Sequence, residues 1–291
     1  MSNSRLTPEQ IDSIIELALA EDLSYGDVTS EALVPTELEG RASFLAEVEG
    51  VLAGIEVARQ VFHKVDPSLR FEINIADGTR IKRGDIIASV SGNLISVLKA
   101  ERTALNFLQR LSGTATLTSN LIAKVEGLST KIMDTRKTTP GMRLLEKYAV
   151  RMGGGKTHRL HLGDWILIKD NHLIALRALG MTIKDIVSRA KYNAPQDTKV
   201  EIEVTNAEEA MEAANSEADI IMLDNMTPDE MRHAVSQLPK HIKTEASGGI
   251  SMDTIHKVAE SGVDYISIGA VTHSVKALNI SLELERPDIN S

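Results

Sequence analysis

Apolar residues first recur at helical spacing: Ile11, Ile14, Ile15, Ala18 and Leu19 follow Thr7, Pro8 and Gln10. Thr7 with Gln10 three residues later has the form of a capping box, and Pro8 suits a first helical turn, so a helix is predicted to start here. Beyond Gly40 the period changes to two. Ala42, Phe44, Ala46 and Val48 alternate with polar residues, as do Phe71, Ile73 and Ile75 ahead of an Asp77-Gly78 turn. Residues 77–92 read as short strands joined by glycine turns. Residues 94–111 read as a helix with Leu94, Val97, Leu98, Leu105, Leu108 and Leu111 on its apolar face.

After Gly113 the texture shifts to a regular alternation. Strand-like runs fall at 130–135, 164–170, 199–205, 219–225, 242–248 and 264–270, and amphipathic stretches at 142–152, 207–214, 228–238 and 252–261. Repeated strand–helix units predict a parallel sheet, and six of them close more naturally into a β/α barrel than into an open sheet. Near the end, Leu278, Ile280, Leu282 and Leu284 alternate again, as in a strand returning to the first sheet.

Composition narrows the function classes. The 291 residues are 42% hydrophobic, enough for a sizeable core in one large domain or two smaller ones. A net charge of −9 excludes a broad basic face for nucleic acid or anionic membrane. There is no cysteine, so disulfides, thiolate nucleophiles and cysteine-bound zinc are excluded. No apolar run approaches the roughly 20 residues of a membrane helix, and the polar start is unlike a signal peptide, so the expectation is a cytoplasmic protein.

Charge is not spread evenly. Residues 134–172 carry eight Lys or Arg against four acids, leaving 24 basic and 37 acidic residues elsewhere. Such a patch in an acidic envelope suits a small anion. The residues just after each buried run fit the same idea: Arg136 and Lys137, Lys169, Glu203, Asp224, Ser247-Gly248-Gly249, and Gly269. In a β/α barrel these carboxyl ends share one face, where substrate and catalytic groups meet. Taken singly, each has a structural explanation as a surface charge, a helix cap or a turn; the coincidence over six strands favours a site. Two motifs are set aside. The Gly-Gly-Gly-Lys-Thr-His run at 153–158 lacks the earlier glycine of a phosphate-binding P-loop, where Val150 stands instead. His158 and His161 are spaced like a metal pair but lack a third ligand at helical spacing.

Several segments together resemble one family. They are EDLSYGDVTS (21–30), ERTALNFLQRLSGTAT (101–116), DTRKTTPGMRLLEKYAV (134–150), HRLHLGDWILIKDNH (158–172), IEVTNAEEA (202–210), IMLDN (221–225), EASGGI (245–250) and ISIGAVTHS (266–274). In order and over nearly the whole chain they resemble quinolinate phosphoribosyltransferase, the decarboxylating enzyme of pyridine-nucleotide synthesis. The resemblance implies an α/β protein of two parts. An α+β sandwich domain at 1–113, completed by 275–291, would accompany an incomplete six-stranded β/α barrel of TIM-like type at 114–274. It implies quinolinate and phosphoribosyl pyrophosphate as substrates, with magnesium and no organic cofactor. It also implies a homodimer in which Arg102 reaches the partner's barrel mouth, with no nucleic acid or membrane partner.

The same resemblance distributes the roles. Arg136, Arg159, His158 and the partner's Arg102 would hold the two carboxylates of quinolinate, and Lys137 and Lys169 would face those carboxylates or the pyrophosphate. Ser247, Gly248, Gly249, Ser267 and Gly269 would surround the ribose phosphate. Glu203 and Asp224 would stabilise the developing positive charge on the ribose, bind its hydroxyls or hold magnesium. Rival readings are a Schiff-base lyase using Lys169, a relative acting on nicotinate or in molybdenum metabolism, and a non-catalytic sensor of a phosphorylated metabolite. Carboxylates facing the ligand speak against a pure anion binder.

Overall fold

The structure is a computed structural model that describes residues 6–285. It comprises two compact units, one holding residues 6–119, 138–154 and 271–285, the other 120–137 and 155–270. The first unit begins with α1 (Pro8–Leu23) and α2 (Val28–Leu33), followed by β1 (Glu39–Ala46) and β2 (Gly50–Val51). Next come α3 (Ile55–Val65), β3 (Arg70–Ile73), β4 (Arg80–Ile81), β5 (Ile86–Asn93) and α4 (Leu94–Lys124). At the start of α1 the Gln10 side chain accepts from the Thr7 N–H at 3.0 Å, one half of the predicted box.

The alternation at Ala42, Phe44 and Ala46 buries one face of β1, whereas Val48 lies beyond the strand and is exposed. Ile75 likewise falls outside β3. Phe44, Phe62 and Phe71 meet with ring centroids 5.5–5.8 Å apart. Burying an aromatic ring contributes about 1.5–3 kcal/mol, so these three anchor the first core. The helix read over 94–111 is longer than its apolar face suggests, since α4 runs on to Lys124. A Cβ at Gly113 would stand 2.3 Å from the Lys276 carbonyl oxygen. The glycine is there for close backbone approach and not as a helix stop.

The chain continues through β6 (Lys131–Met133), α5 (Arg143–Met152), β7 (Ile166–Ile168), α6 (Asp170–Arg177), α7 (Ile183–Asn193) and β8 (Val200–Val204). It ends with α8 (Ala207–Asn215), β9 (Ile220–Asp224), α9 (Pro228–Gln237), β10 (Lys243–Ser247), α10 (Ile255–Ala259), β11 (Tyr265–Ser267), α11 (Ala270–His273) and β12 (Ile280–Leu284). All six strand-like runs of the second half form strands. The alternation of apolar positions had singled out neither α6 nor α7, and α10 is shorter than its amphipathic stretch.

Strand β12 pairs antiparallel with β1, Phe44 opposite Leu282, giving a four-stranded sheet in the order β12-β1-β5-β3. In the second unit the order is β6-β11-β10-β9-β8-β7, with every pairing parallel. Consecutive β6 and β7 end the row on opposite sides, so the six strands make an incomplete β/α barrel. Val200, Ile202 and Val204 are fully buried on one face of β8, as parallel strands covered by helices require. The alternate positions on β8, Glu201 and Glu203, then share the other face. Among the described residues no helix is long and apolar enough to cross a membrane.

Candidate active site

Strand register gathers the predicted residues. Asp224 is the last residue of β9 and lies opposite Ser247, the last of β10; Glu203 lies opposite Met222. Lys169 directly follows β7, Ser267 ends β11, and Arg136 and Lys137 follow β6 after Asp134 and Thr135. A cavity of about 580 Å³ opens at these strand ends. Its lining includes Arg136, Lys137, His158, Arg159, Lys169, Glu203, Asp224, Ser247, Gly248, Gly249 and Ser267.

Two predicted residues are not in that lining. Gly269 follows β11 without lining the cavity, and Arg102 sits on α4 in the first unit, where it lines another cavity with Arg110 and Thr139. The basic segment is divided as well. Of its eight cations Arg136, Lys137, Arg159 and Lys169 line the barrel cavity, while Arg143, Lys147 and Arg151 ride on α5 in the first unit.

Cations and carboxylates occupy the cavity together. Lys169 Nζ donates to Glu203 Oε1 at 2.8 Å, and the Asp170 N–H donates to Oε2 at 3.3 Å. Glu203 is thereby aimed by the strand end beside it. Asp224 Oδ2 accepts from Asn225 Nδ2 at 2.8 Å. Asn225 adopts a left-handed φ of 55°, which Asn tolerates better than most residues, and its N–H donates to the Ser247 carbonyl at 2.9 Å. Gly248, with φ +90°, lies so close to this amide that an added Cβ would be 2.2 Å from Asn225 Oδ1. Only glycine fits both that backbone angle and that approach.

On the basic side, Arg159 is 5% exposed and its Nη1 donates to the Trp165 carbonyl at 3.2 Å. Burial, and then the neighbouring Arg136 guanidinium, hold the Arg159 pKa below its ordinary value. Two like charges facing one cavity are unfavourable until an anion lies between them. Planar guanidinium forks match carboxylates two bonds at a time.

Glu201, Glu245, Trp165 and Asn225 were missed by the sequence reading. Glu201 and Glu245 are fully buried, and Trp165 Nε1 donates to Glu201 Oε2 at 2.7 Å. The signal was available, because Glu201 and Glu245 stand two residues before Glu203 and Ser247 and so share their strand faces. Nothing comparable marked Asn225, whose role depends on a turn between β9 and α9.

The sequence matches the family model of the quinolinate phosphoribosyl transferase C-terminal domain over residues 114–283 and that of its N-terminal domain over 27–112. It is 43% identical over 292 residues to the chloroplastic nicotinate-nucleotide pyrophosphorylase (carboxylating) of Arabidopsis thaliana, covering 94% of this chain and 83% of that protein. It is 40% identical over 275 residues to the probable nicotinate-nucleotide pyrophosphorylase (carboxylating) of Bacillus subtilis, covering 94% and 93%. The solved structure of NadC from Streptococcus pyogenes superposes with a TM-score of 0.92 at 40% identity, over 98% of this chain and all of that one (100%).

Proposed function

Because this chain belongs to the quinolinate phosphoribosyltransferase family, we propose that it joins quinolinate to the phosphoribosyl group of phosphoribosyl pyrophosphate. Decarboxylation follows, and the products are nicotinate mononucleotide, pyrophosphate and carbon dioxide, a step of de novo NAD synthesis. The observation that carries this reading is the pairing of Arg136 with buried Arg159 in one cavity whose other lining groups include Glu203 and Asp224. A ring bearing two adjacent carboxylates offers one anionic group to each guanidinium.

The chemistry follows from that division. Arg136 and Arg159 hold the carboxylates, with Lys137 beside them, and orient the ring nitrogen toward the anomeric carbon. As the nitrogen displaces pyrophosphate the ribose gains positive charge, which the Glu203 and Asp224 carboxylates stabilise. Lys169, already bonded to Glu203, limits the charge that carboxylate carries before substrate arrives. Gly248 and Gly249 offer backbone N–H groups to the ribose phosphate. Magnesium enters with phosphoribosyl pyrophosphate, as part of that substrate. Once alkylated, the ring nitrogen is cationic and stabilises an electron pair on the adjacent carbon, so the carboxylate there leaves as carbon dioxide and a proton from water takes its place. No protein nucleophile is required.

Arg102, 59% exposed at its side chain on α4, is assigned to the cavity of a second copy in a homodimer. The decisive assay mixes the purified protein with quinolinate, phosphoribosyl pyrophosphate and magnesium. Formation of nicotinate mononucleotide with release of carbon dioxide is the expected result. Turnover of nicotinate in place of quinolinate would refute the two-carboxylate assignment.

A further inference from the structure

Below the charged mouth of the barrel lies a buried group of side chains that the transfer chemistry leaves unused. Glu201 on β8 and Glu245 on β10 are both fully inaccessible. His158 Nε2 lies 3.2 Å from Glu201 Oε2 and 3.6 Å from Glu245 Oε1. Ligating atoms of the three residues fall within 4.8 Å of one another, a spacing that would suit a divalent cation. The hydrogen bonds of the ring argue otherwise. His158 Nδ1 accepts the Arg159 N–H at 2.9 Å, so the ring proton sits on Nε2 and faces the carboxylates as a donor. A metal-ligating histidine uses its second nitrogen as a donor, the reverse of what is found here.

His158 in that tautomer is neutral and brings no charge to offset two carboxylates. Adjacent carboxylates without a cation between them do not both ionise. Hydrogen bonds identify the ionised one. Glu201 accepts on Oε2 from Trp165 and also lies within reach of the His158 Nε2–H, 3.5 Å from Oε1. Glu245 accepts no well-formed hydrogen bond from a donor among the described residues, and its hydrogen-bonding neighbours are the Glu201 carboxylate and the Ser267 hydroxyl. Burial, then the Glu201 charge, raise the Glu245 carboxyl well above the ordinary carboxylate range; Glu203 on β8 adds to this, and Ser267 on β11 opposes it.

We propose that Glu245 is a positioning residue held as a neutral carboxylic acid, which shares its proton with Glu201 and so locks His158 in the tautomer that fixes Arg159. His158 is tied at three points: its N–H to Asp134 Oδ1 at 2.7 Å, its Nδ1 to the Arg159 N–H, and its Nε2 to the acid pair. Both ring nitrogens are engaged inside the protein, so His158 acts on quinolinate through Arg159. The stored proton also leaves the cavity floor with one negative charge instead of two beneath a dianionic substrate. The quinolinate part of this inference rests on the proposed function, whereas the protonation of Glu245 does not.

Infrared spectroscopy of the native protein and Glu245→Gln at neutral pH tests the proton directly. A protonated-carboxyl stretch present in the native protein and lost in the variant is expected; its absence from the native protein overturns the proposal. Kinetics test the positioning role. A neutral amide replaces a neutral acid, so Glu245→Gln should keep the quinolinate KM within about threefold, whereas Glu245→Ala should raise it at least about tenfold. The KM for phosphoribosyl pyrophosphate should stay put in both. A Gln variant as impaired as the Ala variant, or a stoichiometric divalent metal lost on Glu245→Gln, would also overturn it. Failure of the native protein to use quinolinate at all would sink the functional reading while leaving the infrared result intact.

Discussion

Replacing Gly248 and Gly249 separately by alanine distinguishes backbone strain from displacement of a catalytic carboxylate. Both residues have positive φ, +90° and +63°, so each alanine carries a penalty of about 1–2 kcal/mol. Beyond that they differ. At Gly249 a new Cβ meets nothing within 4 Å, but at Gly248 it would lie 2.2 Å from Asn225 Oδ1 and 3.0 Å from the Asn225 backbone nitrogen. Carbon–oxygen contact requires more than an ångström of additional room, and Asn225 cannot retreat without moving Asp224, to which it donates at 2.8 Å. A misplacement of about 1 Å at a reacting centre costs on the order of 100-fold in rate.

Gly248→Ala should therefore lower kcat about 100-fold, and Gly249→Ala less than about fivefold, since only the first shifts the carboxylate. Both should lower the thermal midpoint, by about 2–4 °C per kcal/mol, and Gly248→Ala by more, because the clash with Asn225 adds to the shared backbone penalty. Steady-state assays of quinolinate turnover beside calorimetry of the same preparations give both readings. Equal losses of kcat in the two variants would refute the transmission from Gly248 through Asn225 to Asp224.

Other expectations arise from the same geometry. Arg136→Ala and Arg159→Ala each remove charge-assisted bonds of about 1.5–3 kcal/mol, so quinolinate kcat/KM should fall at least tenfold with circular dichroism unchanged. Normal kinetics in either variant contradict the assignment. Glu203→Gln and Asp224→Asn should depress kcat more than KM, and an effect confined to KM would rule out charge stabilisation. If Arg102 serves a second copy, mixing inactive Arg102→Ala and Asp224→Ala subunits should restore about a quarter of native activity, because random exchange leaves one intact site in half of the dimers. No recovery after exchange would remove Arg102 from the site. The raised carboxyl of Glu245 means the folded state binds an extra proton between the unfolded and folded pKa values, so this group's contribution to stability is fully present below the unfolded carboxyl range and is lost, by up to about 1.4 kcal/mol per pH unit, as pH rises from there through the folded value. Urea titrations at two pH values should show that slope reduced in Glu245→Gln, and an unchanged slope counts against a raised carboxyl.

Much was legible in the sequence because strands and helices impose their own periods. The six parallel strands, the returning C-terminal strand and the charged strand ends all come from alternation and from the residues that close each apolar run. The helix read over 94–111 fell short for a local reason: the residues just past Leu111 are mostly small or polar, and only the Lys276 carbonyl beside Gly113 shows that the helix continues through a close crossing. The cation excess at 134–172 was real, yet linear density overstated the pocket, since α5 carries three of those charges into the first unit.

Residue identity and period alone thus determined the strands, the family resemblance and which groups stand at strand ends. Only tertiary structure decided which carboxyl is buried beside another, which ring nitrogen of His158 is already occupied, and how near Asn225 comes to Gly248. The physical reason is that period is a property of the backbone and is written locally. Protonation and close approach depend on the few ångströms between segments far apart in sequence, where desolvation and contact are set.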